Sequence, residues 1–130
     1  MKILRGKETI LLVEDEDLVR EMTGLMLREN GYQVLEARNG SEALHIWREH
    51  QEAIHLVLTD QSLPGISGLD LVSRLAGLRP GIKVILMSGF AVEELGQEIV
   101  DSMVGFIQKP FRTKVLITKI SESLNIRGLS

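Results

Sequence analysis

Short apolar runs that do not alternate with polar residues recur along this chain, and segments of helical periodicity separate them. The runs are Ile10–Val13, Leu56–Leu58, Val84–Met87 and Val104–Ile107, each rich in Val, Ile or Leu. A strand with one wet face alternates apolar and polar side chains, whereas a strand covered on both faces does not. The runs therefore predict strands sandwiched between helices. Gln33–Ala37 is more mixed, with Glu36 beside Val34 and Leu35, and reads as a strand at a sheet edge.

The intervening segments fill in the other layer. Leu18, Met22, Leu25 and Met26 step i, i+4, i+7 and i+8, which predicts a first helix with these residues, both methionines included, in the core. Asp17 is expected to cap it, and Asn30-Gly31 to stop it. Ala43, Leu44 and Trp47 mark a second helix, with Trp47 as a core or half-buried aromatic. Leu71, Val72, Leu75 and Leu78 mark a third, closed by Arg79-Pro80-Gly81. Val92, Leu95 and Ile99 mark a fourth, weakened by Gly96 at a cost of about 1 kcal/mol relative to Ala. Leu116, Ile117, Ile120 and Leu124 mark a fifth. Strict alternation of strand and helix calls for α/β architecture: an open, doubly wound, five-stranded parallel sheet with right-handed crossovers and five helices.

Composition fits one such unit. The 130 residues match a single domain, and 44% hydrophobic residues supply a core without staples. Fifteen Lys and Arg against eighteen Asp and Glu leave a net charge of −3, which argues against a dedicated nucleic-acid binder. Cysteine is absent, so disulfides, thiolate metal sites and thiol chemistry are excluded. No apolar run approaches the roughly 20 residues of a membrane span, and Met1–Thr9 lacks the apolar stretch of a signal peptide. The expectation is a cytoplasmic domain over residues 8–125 with flexible ends at 1–7 and 126–130, without membrane contact.

In open α/β sheets, ligands bind where the strands end. Counting Gln33–Ala37 as the second predicted strand, Glu14, Asp15 and Glu16 follow the first, Thr59-Asp60 the third, Ser88-Gly89 the fourth and Lys109-Pro110 the fifth. Carboxylates gathered at one edge repel one another and need a cation or a proton to coexist. Hard oxygen donors that leave room for water and phosphate oxygens suit Mg²⁺. A carboxylate not fully committed to metal can attack phosphorus and form an aspartyl phosphate. A nearby ammonium and hydroxyl would then neutralise and bond the phosphoryl oxygens. Asp60 is the best nucleophile candidate, a lone acid at a central strand end before the turn Leu63-Pro64-Gly65. His45, His50 and His55 share no helical face and suggest no metal site, and Gly65-x-x-Gly68 lacks the ending of a phosphate loop.

Taken in order, Leu12-Val13-Glu14-Asp15-Glu16, Thr59-Asp60 with Leu63-Pro64-Gly65 and Gly68, Met87-Ser88-Gly89, and Phe106-Ile107-Gln108-Lys109-Pro110-Phe111 resemble the receiver domain of two-component response regulators. The resemblance spans Glu8 to Leu124 and, in the details of the Lys7–Glu16 and Phe106–Phe111 segments, is greatest to receivers attached to hybrid sensor histidine kinases. It implies the flavodoxin-like strand order 2-1-3-4-5. It implies Asp60 as phosphoacceptor, with Mg²⁺ (or Mn²⁺) held by Asp15, Asp60, the backbone carbonyl of Ser62 and, through water, Glu14. It implies that Ser88 contacts the phosphoryl group and that Lys109 pairs with Asp60 or its phosphate. Pro110 would follow a cis peptide bond, and Phe106 would be the switch aromatic that moves with Ser88. Phe106 lacks the hydroxyl of the tyrosine often found there. Gln61-Ser62-Leu63 replaces the usual apolar pair and methionine, and Ser62 lies where the lifetime of the phosphate is set.

The partner implied is a histidine kinase or histidine phosphotransfer domain, with the segment around Ala91–Asp101 responding to the added charge. The domain is not expected to turn over substrate by itself. It carries no kinase motif and no output domain, so it either acts alone or forms part of a longer protein such as a hybrid histidine kinase. Two rival readings remain. A pseudo-receiver would bind a protein independently of phosphorylation, although the intact Glu14, Asp15, Asp60, Ser88 and Lys109 set counts against it. A phosphatase with an aspartyl nucleophile would need a second acid where Ser62 stands.

Overall fold

The computed structural model describes residues 7–89 and 105–124. The chain runs β1 (Thr9–Val13), α1 (Asp17–Glu29), β2 (Gln33–Ala37), α2 (Gly40–His50), β3 (Ile54–Asp60), α3 (Gly68–Leu78), β4 (Lys83–Ser88), β5 (Gly105–Gln108) and α4 (Thr113–Leu124). The helix expected around Val92, Gly96 and Ile99, the segment Ala91–Asp101 and Val104 lie outside the described residues, as do 1–6 and 125–130. The strands form one parallel sheet in the order β2-β1-β3-β4-β5, so Gln33–Ala37 is indeed an edge.

Both faces of this sheet are covered, which explains the unbroken apolar runs. Leu11 and Val13 of β1 point with Val57 and Val84 toward Trp47 of α2 and Leu71 and Leu75 of α3. Ile10 and Leu12 point the other way with Leu56, Leu58 and Ile85, toward Leu27 of α1 and Leu116 and Ile120 of α4. Each fully buried leucine or isoleucine contributes about 1.5–3 kcal/mol of transfer free energy. The α2 and α4 faces match their periodicity, and so does α3 except at its end, where Leu78 is exposed.

The first helix does not. Its buried residues are Arg20, Thr23, Gly24 and Leu27, while Leu18, Met22 and Leu25 are 68%, 52% and 56% exposed. Of the expected core positions only Met26 packs, and only partly. The helix is rotated so that Arg20 faces inward, where it donates to the Glu14 carbonyl at 3.0 Å and lies 3.4 Å from Glu36, while the exposed Asp17 pairs with it at 2.7 Å. Asp17 is accordingly not the cap. It opens the helix, Glu16 occupies the cap position without a side-chain hydrogen bond, and the Asp17 carboxylate is taken by Arg20.

The starts of α2 and α3 follow the usual chemistry. Asn39 accepts from the Glu42 N–H at 2.8 Å, and the Glu42 carboxylate accepts from the Arg38 N–H at 2.7 Å. Ser67 accepts from the Asp70 N–H at 3.1 Å. The start of α3 also touches the end of β3: a Cβ on Gly68 would stand 2.3 Å from the Asp60 carbonyl oxygen. Only glycine allows that approach.

Candidate functional site

The ends of β1, β3 and β5 bring the expected acids and the lysine together. Glu14 directly follows β1 and is fully buried, Asp60 ends β3 and is 5% exposed, and Asp15 is exposed at the rim. One carboxylate oxygen from each of Glu14, Asp15 and Asp60 lies within 4.8 Å of the other two, and no other such group occurs among the described residues. Glu16 is outside this cluster; its N–H donates to Glu14 Oε2 at 3.2 Å.

Lys109, just past β5, reaches into the acids. Its Nζ donates to Glu14 Oε1 at 3.0 Å and to Asp60 Oδ2 at 3.3 Å. The pairing with Glu14 has no counterpart in the sequence reading, because the two residues are 95 positions apart and meet only through the 2-1-3-4-5 order. Burial pushes the Glu14 carboxyl above its ordinary value, opposed by the Lys109 hydrogen bond and reinforced by the Asp60 charge. Burial pulls the Lys109 ammonium down, but its hydrogen bond to Glu14 and the charges of Asp60 and Glu14 outweigh that and leave it raised.

The donor set suits a hard divalent cation. With all three carboxylates ionised, they and the ammonium would sum to −2, which such a cation would neutralise.

Ser88 ends β4 and is buried, and its carbonyl accepts from the Lys109 N–H at 2.7 Å, tying β4 to the lysine loop. The Lys109-Pro110 peptide bond is cis. Phe106 is half-buried in β5, opposite Leu86 of β4. Ser62 is exposed in the loop after Asp60. That loop is tied at both ends: the Gln61 N–H donates to the Met87 carbonyl at 2.8 Å, and Gln61 Oε1 accepts from the Leu69 N–H at 3.1 Å. Reading the motifs alone misses Gln61 and Arg20. Arg20, Thr23, Gly24 and Leu27 also follow i, i+3, i+4, i+7, but the more apolar stripe of Leu18, Met22, Leu25 and Met26 masks that spacing.

Beside the site an apolar groove of about 480 Å³ runs from Val19, Met22 and Met26 of α1 to Pro110, Phe111 and Lys109. The exposed Leu18, Met22 and Leu25 add apolar surface on the same helix.

Comparison with known proteins gives concordant matches. Residues 10–121 match the family model described as the response regulator receiver domain. The sensor kinase CckA of Brucella abortus is 39% identical over 122 residues, which is 93% of this chain but 13% of that kinase, so the chain spans a small part of that relative. The crystal structure of the receiver domain of the hybrid histidine kinase CckA is 35% identical, covering 89% of this chain and 98% of that one at a TM-score of 0.76. The response regulator protein TrrA of Thermotoga maritima, solved in complex with Mg²⁺-BeF, is 28% identical over 89% of this chain and 98% of its own at a TM-score of 0.81.

Proposed function

The chain belongs to the response regulator receiver domain family of two-component systems, and from that premise we propose that it accepts a phosphoryl group from a partner's phosphohistidine on Asp60, with Mg²⁺. The observation that carries this reading is Lys109 Nζ, 3.3 Å from Asp60 Oδ2 and 3.0 Å from Glu14 Oε1, inside a cluster of three hard oxygen donors. An oxygen of Asp60 forms the bond to phosphorus as the donor's P–N bond breaks; the electron pair returns to that ring nitrogen, and the imidazole, already protonated on its other nitrogen, leaves neutral. Lys109 orients the Asp60 carboxylate and offsets charge on the phosphoryl oxygens. Ser88 supplies a hydroxyl to one of those oxygens, and Phe106 repacks as it does so. Asp15, Asp60 and the Ser62 carbonyl would hold the cation, with Glu14 through water, and it would supply positive charge to the oxygens of the transferred group.

The receiver unit is taken as residues 8–125, acting in the cytoplasm, where a histidine kinase or histidine phosphotransfer domain meets it. The donor is assigned to the groove between α1 and Phe111, because Lys109 lies at the groove's end and touches Asp60. A helix carrying the phosphohistidine and an apolar flank fits such a surface.

The test is Mg²⁺-dependent labelling by acetyl phosphate, compared with Asp60→Asn. Labelling of the unsubstituted protein alone is expected. Equal labelling of both would overturn the assignment of Asp60, and failure to label either would leave a phosphorylation-independent binding module.

A further inference from the structure

We propose that Arg20 is a positioning residue for the metal-binding acids, a role that rests on the reading of Glu14 and Asp15 given above. The guanidinium is buried, with 10% of its side chain exposed, and it occupies the inward face of α1 where an apolar residue would ordinarily sit. Its Nη1 donates to the Glu14 carbonyl at 3.0 Å. On the other side of the same residue, the Glu14 N–H donates to the Ala37 carbonyl at 3.0 Å. Both peptide groups of Glu14 are therefore pinned.

The pinned carbonyl belongs to the peptide that joins Glu14 to Asp15, and because that unit is planar, holding it fixes where the Asp15 Cα stands, the point from which its side chain leaves the backbone. Past the end of β1 the Glu14 carbonyl is thus held by a side chain. The remaining arms of the guanidinium are held as well, by Asp17 at 2.7 Å and by Glu36 of β2 at 3.4 Å. Glu36 is itself clamped by Arg28 at 2.9 Å. Gly24 keeps that corner open, since a Cβ there would stand 2.9 Å from Glu36 Oε2. A planar fork spreads its donors over three nitrogens and can reach acceptors that stand apart, whereas an ammonium carries all three of its donors on one atom. Arg20 touches none of the proposed ligand oxygens and acts through the backbone.

The experiment measures Mg²⁺ affinity by isothermal titration calorimetry beside thermal unfolding of the metal-free protein. Arg20→Ala is expected to weaken Mg²⁺ by about tenfold or more, the range typical of groups that orient metal ligands. Arg20→Lys keeps the charge and guards against misfolding of the alanine variant; it is expected to recover most of the melting temperature yet bind Mg²⁺ about threefold more weakly. Glu36→Gln removes charge from the same network without touching the Glu14 carbonyl. It is expected to lower the melting temperature while holding Mg²⁺ affinity within about twofold. Affinity that tracks melting temperature across all three variants would make Arg20 merely structural and overturn the proposal, as would both Arg20 variants binding like the unsubstituted protein. An unsubstituted protein with no saturable Mg²⁺ binding would instead remove the metal reading itself, and this proposal with it.

Discussion

The helices α1 and α3 have similar apolar content on paper and use it in opposite ways. Helix α3 buries Leu71, Val72 and Leu75 against the sheet. Helix α1 turns Leu18, Met22 and Leu25 outward and docks through Arg20, Thr23, Gly24 and Leu27. The difference follows from what each helix leans on. Beneath α3 lies apolar sheet; beneath the start of α1 lies the Glu14 carbonyl, an acceptor that a leucine would leave unsatisfied at a cost of about 1–3 kcal/mol, with the Glu36 carboxylate beside it. One helix is held by area, the other by a buried cation, and the second arrangement leaves apolar surface free beside the site.

The same substitution on the two helices breaks or sustains this contrast most sharply. Leu75→Ala should cost about 2–5 kcal/mol in urea unfolding, because Leu75 is fully buried. Leu25→Ala, at 56% exposure, should stay within about 0.5 kcal/mol. Equal costs would mean that α1 packs by the face its periodicity suggested.

The outward face has its own test. Met22→Ser, at a residue that lines the groove and is half exposed, should lower phosphoryl transfer from a histidine phosphotransfer protein by about tenfold, the effect of losing some 1.4 kcal/mol of docking energy. Acetyl phosphate needs no docked helix, so labelling with it serves as the control. A matching loss with acetyl phosphate would move Met22 from docking to folding.

These contrasts also show which parts of the molecule a sequence can disclose. The strands were legible because both sheet faces are covered, so each run of Val, Ile and Leu carries a signal within a few residues. Glu14, Asp15, Asp60, Ser88 and Lys109 were legible as strand-end residues, since their placement follows from where the runs stop. The rotation of α1 was not, because it is decided by Arg20 meeting Glu36, a residue 16 positions away on another element. The fit of Gly68 against the Asp60 carbonyl and the Lys109–Glu14 pair are likewise products of tertiary approach. Periodicity counts apolar residues and cannot see a polar one whose partners arrive from elsewhere.

Tyr32 extends the comparison to alkaline pH. It packs with Leu27 behind α1 and is 4% exposed. Burial, with a smaller contribution from the Glu8 charge, pushes its phenol up to about 12 from 10.0. A folded pKa above the unfolded value means that the neutral form favours folding. This contribution is whole below pH 10 and drains away as the pH rises toward about 12. The chain has a single tyrosine, so absorbance of the phenolate reports this group alone. Titration at the ordinary value would show that the packing behind α1 admits water.

The smallest effect is expected at Asp17. Its carboxylate lies 2.7 Å from Arg20 yet is 74% exposed, so water and salt screen the attraction. Asp17→Asn keeps an oxygen that can accept from the guanidinium and loses a negative charge in the first turn of α1, where the helix dipole favours one. Together these changes should cost less than about 1 kcal/mol, and less still in high salt. Mg²⁺ affinity should stay level, because the bond from Arg20 to the Glu14 carbonyl does not pass through Asp17. A loss of Mg²⁺ affinity as large as that of Arg20→Ala would show that the exposed carboxylate aims the guanidinium. The buried cation would then hold α1 only with help from the surface, and the contrast with α3 would narrow to one of degree.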